Sequence, residues 1–313
     1  MDAAALLQRF EEHLQPSQPT AGAEPVDIVG YGEVSTVFRL AGLPGHVCKR
    51  MAGFRDAAAV QRYIDVVQRY IERLTVLGVP VAATVPVSVR TPVSGEVVYL
   101  LQPQLDGAGL GNHLLRTAGD GVLLAAIERV LAIARTLLLA NRAARDGRAV
   151  TVDAQLSNWH FPVAGDSVGV PTLIDVGTPF MRHGGVDEMG IELFLAPVPA
   201  LMRPLYRRLR LVERYIDDYF DPRTLLIDLL GNFHKEGRSD RIDLGVTCVN
   251  RWLGGPGAEL DARPITRGAV DRYYRKDAQL LELFLKVRRL DRWVRTRLLR
   301  GRYNFILPGP IRR

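Results

Sequence analysis

The chain has 313 residues, 47% hydrophobic and 24% charged, with 29 Gly and 19 Pro, which excludes collagen-like, coiled-coil and disordered chains. Its length supports a large core, more often split into two domains or lobes than kept as one. The net charge of +7 sits in one place: Phe284 to Arg313 carries ten basic residues against the single acid Asp291, a net +9, whereas Met1 to Leu283 carries 31 basic and 33 acidic residues, a net −2.

Residues 1–14 read as an amphipathic helix, broken by Pro16, Pro19 and Pro25. Val26 to Arg39 has the β-branched and Gly content of a hairpin, and His46 to Met51 that of a short strand. Phe54 to Leu77 is helical, with Val60, Ile64, Val67, Ile71 and Leu74 at helical spacing. Val79 to Val89 and Gly95 to Gln102 read as two further strands. Beyond Pro103, Gly121 to Arg145 is a strongly apolar helix, and from Ile191 onward nearly everything reads helical. One strand-rich insert, Ala149 to Asp175, lies between them. The pattern predicts an α+β chain of two unequal lobes, a small antiparallel sheet followed by a larger helical part, with a hinge near Gln102 to Gly107. Its divisions are a helical extension (1–25), a strand-rich lobe (26–104), a helical lobe (105–283) and a basic amphipathic segment (284–313).

Two cysteines, Cys48 and Cys248, cannot build a disulfide framework and fit a reducing compartment; no Cys/His cluster suggests zinc. The start, interrupted by Arg9, Glu11 and Glu12, is not a signal peptide, and no stretch reaches the ~18 uninterrupted apolar residues of a membrane span. The expected location is cytoplasmic, with peripheral membrane association through the basic segment as a candidate.

Three places carry chemistry. Gly30 and Gly32, one residue apart in a strand–turn–strand with Ser35 following, let backbone N–H groups approach phosphate oxygens. Lys49 lies in an apolar strand and needs a partner or water, although its neighbour Arg50 is an alternative functional cation. The third place is Asp153 with Asn158 five residues on, then a hairpin, then Asp175-Val176-Gly177. A symmetric register about a turn centred between Asp166 and Ser167 pairs Phe161 with Thr172 and sets Asn158 opposite Asp175, with Cβ atoms ~5 Å apart. An amide oxygen and a carboxylate converging there suit a hard cation such as Mg²⁺.

In combination and order, these residues resemble the protein-kinase-like superfamily, and more closely its aminoglycoside and small-molecule phosphotransferase branch. Leu77-Gly78-Val79-Pro80-Val81 is similar to the segment that opens the fourth strand in that branch. The resemblance covers roughly residues 26–180. It implies a bilobal kinase-like fold and an ATP- and Mg²⁺-dependent transfer to the hydroxyl of a small-molecule acceptor. Carried over, Gly30, Gly32 and Ser35 would form the phosphate loop and Lys49 would grip the α/β-phosphates. Asp153 would position the acceptor hydroxyl, Asn158 and Asp175 would hold Mg²⁺, and Gln102 to Gln104 would offer backbone to adenine.

The sequence departs from that pattern at Thr151, where the family has a histidine, and at Val176, where it has a phenylalanine. The helical acid that should pair Lys49 is also displaced: Asp65, Gln68 and Glu72 are the candidates, and a glutamine there would leave a weaker, neutral partner. That departure keeps open a nucleotide-binding pseudokinase. The acids Asp187, Glu188, Glu192, Asp217 and Asp218 could hold a cationic acceptor but read mostly as solvated helix faces. His183 and His234 read as surface or packing residues.

In the terminal segment Leu283, Val287, Leu290, Val294 and Leu298 share a ~100° stripe, with arginines around most of the remaining circumference. An apolar tail, Tyr303 to Pro308, follows and ends in Arg312-Arg313. The stripe either packs on the helical lobe or docks to an anionic membrane or phosphate-rich ligand. Nucleic acid is the less favoured partner, since no known binding module accompanies the charge.

Overall fold

Alternating side chains in the first third of the chain build a single antiparallel sheet in the computed structural model, which describes residues 2–21, 24, 26–32 and 34–308. Pro25, Glu33, Arg312 and Arg313 lie outside the described residues. Helix α1 (Ala3–His13) precedes strands β1 (Val26–Tyr31), β2 (Ser35–Leu40) and β3 (His46–Phe54); helix α2 (Ala57–Val76) then leads to β4 (Val85–Thr91) and β5 (Gly95–Pro103). The spatial order is β1-β2-β3-β5-β4, every neighbour antiparallel. Phe54 stays in β3, paired with Glu96, so α2 starts at Ala57, where the Asp56 carboxylate caps the Ala59 N–H at 2.8 Å. The fourth strand begins at Val85 instead of Val79. Residues Pro80 to Ala82 instead bond with Leu173, whose N–H donates to Pro80 and whose carbonyl accepts from Ala82.

The two faces of the sheet bury different cores. Met51, Val98 and Leu100 face α2 and join the main core, which continues into the helical part. Cys48, Ala52, Val97, Tyr99 and Leu101 point the other way, under Leu6, Leu7 and Phe10 of α1. Alternation along a strand produces this division.

The rest of the chain is mostly helical: α3 (Gly111–Thr117), α4 (Asp120–Ala143), α5 (Glu192–Leu195), α6 (Arg203–Arg208), α7 (Leu211–Phe220), α8 (Pro222–Lys235), α9 (Ile242–Leu253) and α10 (Arg267–Trp293). Between α4 and α5 lie short strands: β6 (Arg148–Val150), β7 (Trp159–His160), β8 (Val163–Ala164), β9 (Ser167–Val168), β10 (Thr172–Leu173), β11 (Met181–His183) and β12 (Val186–Asp187).

Two expectations need correction. The hairpin pairs Trp159 with Leu173 and His160 with Thr172, so Phe161 is not opposite Thr172 and Asn158 is not opposite Asp175. The cause lies in the tip and its return: Val163 pairs with Val168 and Ala164 with Ser167 across a two-residue turn, Gly165-Asp166, in which Gly165 takes φ 60, and one residue more separates β9 from β10 than separates β7 from β8. Asn158 instead closes a helical turn (Leu156–Asn158) and accepts the Ile174 N–H on its carbonyl at 2.9 Å. The second correction concerns the terminal segment. Its expected stripe is only partly covered: Leu283, Leu290 and Leu298 are exposed and Val287 and Val294 half-buried, while Leu285 and Arg288 turn inward. The tail that follows is not free: Tyr303, Phe305 and Ile306 are buried on the outer face of the sheet beside α1.

Candidate active site

Gly30, Gly32, Ser35, Lys49, Gln102, Gln104, Asp153, Asn158 and Asp175 all line one cleft of about 670 Å³ between the sheet and the helices, and Arg50 does not. Gly30, Gly32 and Ser35 form its roof at the β1–β2 turn, where the Gly32 N–H donates to the Ser35 carbonyl at 3.0 Å. Lys49 enters from β3, and Gln102 and Gln104 border the cleft where β5 ends. Asp153 and Asn158 come from the loop between β6 and β7, and Asp175 follows β10 by two residues.

Lys49 Nζ lies 2.5 Å from Asp175 Oδ1. The same oxygen accepts the Gly177 N–H at 3.0 Å. Burial alone would favour protonated Asp175, but the Lys49 ammonium outweighs it and, with the Gly177 N–H, holds the carboxyl below its ordinary range. A Cβ at residue 177 would sit 2.9 Å from both Cε and Nζ of Lys49, so the end of the lysine would have to move aside for it. Asp65, Gln68 and Glu72 do not pair the lysine. Gln68 and Glu72 are exposed, and Asp65 accepts from Gln61 at 2.8 Å. Helix α2 reaches the site through tyrosines instead: Tyr63 donates to the Gly177 carbonyl and Tyr70 to the Thr151 carbonyl, both at 2.9 Å.

Asp153 sits on the cleft floor, its Oδ1 accepting the Gln155 N–H at 3.0 Å. Burial, with the Asp228 carboxylate second, pushes it up to about 7. Asn158 Nδ2 points toward the Asp153 carbonyl at 3.5 Å. The loop is held from below by α8. Asp228 accepts from Gln155 Nε2 at 2.8 Å, and Asn232, one turn later, accepts the Ser157 N–H at 3.1 Å. Thr151 is buried and donates to the Tyr219 carbonyl at 3.0 Å. Sequence reasoning missed Asp228, Asn232 and both tyrosines. A signal for the first two existed: they stand four apart in the otherwise apolar run Leu225 to Phe233, where buried polar groups need partners.

At the strand end, Gln102 Nε2 donates to Thr84 Oγ1 and to the Ile174 carbonyl, both at 2.9 Å, tying β5 to the segment that carries Asp175. The Gln104 N–H is bonded to Gly45 O at 2.8 Å, so it is not the donor that an adenine edge would meet. The far wall presents Phe180, Phe194, Leu281 and Leu285 together with Asp228 and Asp277. None of the five expected acceptor acids lines the cleft: Asp187 and Asp217 bind Arg182, Glu188 binds Arg69, Glu192 binds Arg207, and Asp218 lies in a separate hollow. His183 is exposed, and His234 sits between Ser239 and Asp271, 2.9 Å from each.

Among the described residues no group of three or more His, Cys, Asp or Glu side chains is placed to hold a metal by protein ligands alone. Magnesium needs only one or two protein oxygens when phosphates supply others, and the Asp175 carboxylate with the Asn158 amide fits that donor set. No described helix is long and apolar enough to cross a membrane. Residues 10–292 match a family of unknown function, DUF6206, and the chain belongs to that family. A search among curated proteins finds no match.

Proposed function

We propose that the chain is an ATP- and Mg²⁺-dependent phosphotransferase of bilobal, kinase-like fold that acts on the hydroxyl of a small molecule. The observation that carries this reading is the Lys49–Asp175 pair, 2.5 Å long, lying under a glycine-containing strand turn and beside Asp153 and Asn158 in one cleft. An ammonium and a carboxylate set against each other are the two groups that a metal-bound polyphosphate satisfies separately. Phosphate oxygens take the ammonium, and the cation takes the carboxylate. Bound there, Mg²⁺ would neutralise developing phosphate charge, with Asp175 and Asn158 as its protein ligands. Lys49 would orient the phosphates, and the turn that carries Gly30 and Gly32, closed by the Gly32 N–H to Ser35 carbonyl bond, would cover them from above. Asp153, raised to about 7, would accept a hydrogen bond from the acceptor hydroxyl and take its proton. Positioning and charge neutralisation supply most of the rate in such transfers.

A second reading, a nucleotide-binding pseudokinase, is favoured by one observation: α2 offers Lys49 no acid, so nothing but Asp175 pairs it among the described residues. ATP turnover against a panel of hydroxyl-bearing metabolites separates the two. Stoichiometric ADP and phosphorylated product, lowered by at least about 100-fold in Asp153→Ala, is the expected result for the enzyme. Mg²⁺-dependent ATP binding with no turnover on any acceptor selects the pseudokinase.

A further inference from the structure

Among the described residues, much of the outward face of α10 is left uncovered, with Val287 and Val294 half-buried within it. Leu280, Leu283, Leu290 and Trp293 stand on one side of the helix, and Leu298 and Leu299 extend the exposed surface past its end. Leu283 is 57% exposed and Leu290 62%, although the opposite side of the same helix buries Leu285 and Arg288. Cations lie among these leucines: Lys286, Arg297 and Arg300 are exposed.

A second segment repeats the chemistry. Helix α6 buries no side chain, and Leu201, 93% exposed, leads into Leu205, Leu209 and Leu211, also exposed. Arg207, Arg208 and Arg214 are exposed among them. Both segments reach the same part of the sheet, around Gly53. Arg203 of α6 donates to the Ala196 carbonyl at 2.9 Å. A Cβ at Gly53 would lie 2.8 Å from Ala196 Cβ and 2.7 Å from the Phe305 ring. That ring lies 5.2 Å from the Arg288 guanidinium of α10.

We propose that the open face of α10 docks the protein onto an anionic lipid bilayer, with the leucines and Trp293 entering the interface, the cations meeting lipid phosphates, and the exposed leucines and arginines around α6 as a second, lesser contact. The charge chooses the occupant. A second copy would set one cationic face against another, and a polyanion in water would meet the arginines but leave the leucines wet. Only a surface that is apolar just below a layer of negative headgroups accepts both kinds of side chain at once. The exposed ion pairs Lys286–Glu282 and Arg207–Glu192 are of the weak, solvent-screened kind and leave their cations able to re-pair with phosphate. The apolar tail plays no part in docking, because Tyr303, Phe305 and Ile306 are buried on the sheet. The inference does not depend on what happens in the cleft.

Co-sedimentation of the full chain with vesicles tests it, comparing pure phosphatidylcholine with phosphatidylcholine containing 30% phosphatidylglycerol. Binding to the anionic vesicles should be roughly tenfold tighter or more, and should weaken as salt is raised. The double variant Leu283→Asp/Leu290→Asp should lose about tenfold in that binding, and Leu205→Asp a smaller factor, with the thermal melt unchanged because these side chains touch no core. Failure to bind anionic vesicles would overturn the proposal. So would binding that ignores both leucine changes, which would make the contact a charge effect from elsewhere. Oligomers in size exclusion that Leu283→Asp/Leu290→Asp converts to monomers would assign the face to a second copy, and tight binding to an oligonucleotide without vesicle binding would assign it to nucleic acid.

Discussion

Lys49 and Arg50 are consecutive cations on one strand, and they serve opposite sides of the sheet. Lys49 points into the cleft, where its partner Asp175 is still partly open to water. Arg50 points into the sealed outer core, where Nε and Nη2 hold both oxygens of buried Glu11 at 2.8 and 2.6 Å and Nη1 donates to the Asn304 carbonyl at 2.8 Å. The Tyr99 hydroxyl donates to the same carboxylate. The sequence leaves open which cation is functional, and the strand answers it: an ion that a ligand must reach cannot be the one enclosed by α1 and the tail. The Arg50 cluster joins three distant parts of the chain, α1, β3 and residue 304, so it reads as a fastener for the sheet.

If the outer face is structural and the cleft face functional, substitutions should divide accordingly. The largest expected effect is Glu11→Ala, which strands a buried guanidinium and should cost about 3–5 kcal/mol in denaturant unfolding. A cost below about 1 kcal/mol would mean that water reaches Arg50 and that the core is not sealed. Phe305→Ala, which empties the place the tail fills over Gly53, should cost about 3 kcal/mol by the same measurement. An unaltered midpoint would show that the tail is not docked.

Acid provides a third, smaller effect. Burial would raise Glu11, yet Arg50 and the hydrogen bonds to the carboxylate hold it below its ordinary value. Its contribution is therefore complete above the unfolded carboxyl value near 4.5 and is lost as pH falls through the lower folded value. Stability measured from pH 7 downward should fall below about pH 5 in the wild type and fall less steeply in Glu11→Gln. Equal slopes would contradict the pairing. The smallest stability effect belongs to the cleft: Lys49→Met should cost about 1–2 kcal/mol, less than Glu11→Ala, because the carboxylate left behind is only part-buried. A loss as large as that of Glu11→Ala would make Lys49 a fastener too and remove the contrast.

The residues that line the candidate site were legible because their signals are local. Asp153, Asn158 and Asp175 lie within one loop and hairpin, and the Gly30/Gly32 turn lies between two adjacent strands, so their order along the chain and the resemblance it carries group them. The hairpin register failed for an equally local reason: Gly165 favours a tight turn one residue earlier than a symmetric reading assumes, and the return to β10 carries one residue more. Contacts that close over long stretches of chain left no such trace. Glu11 and Asn304 reach Arg50 across 39 and 254 residues, and Asp228 reaches Gln155 across 73. The outward stripe of α10 was visible as a pattern, but periodicity cannot say which side of a helix a neighbour covers. Here the covered side includes an arginine, Arg288, and the open side the leucines.

The central claim, that the Lys49–Asp175 cleft takes a metal-bound nucleotide, is tested most directly by thermal unfolding in an ATP titration with and without Mg²⁺. The account predicts a midpoint rise of roughly 3–5 °C at saturating ATP with Mg²⁺ in the wild type, abolished in Asp175→Ala. No shift in the wild type at millimolar ATP, or an equal Mg²⁺-dependent shift in Asp175→Ala, would contradict it.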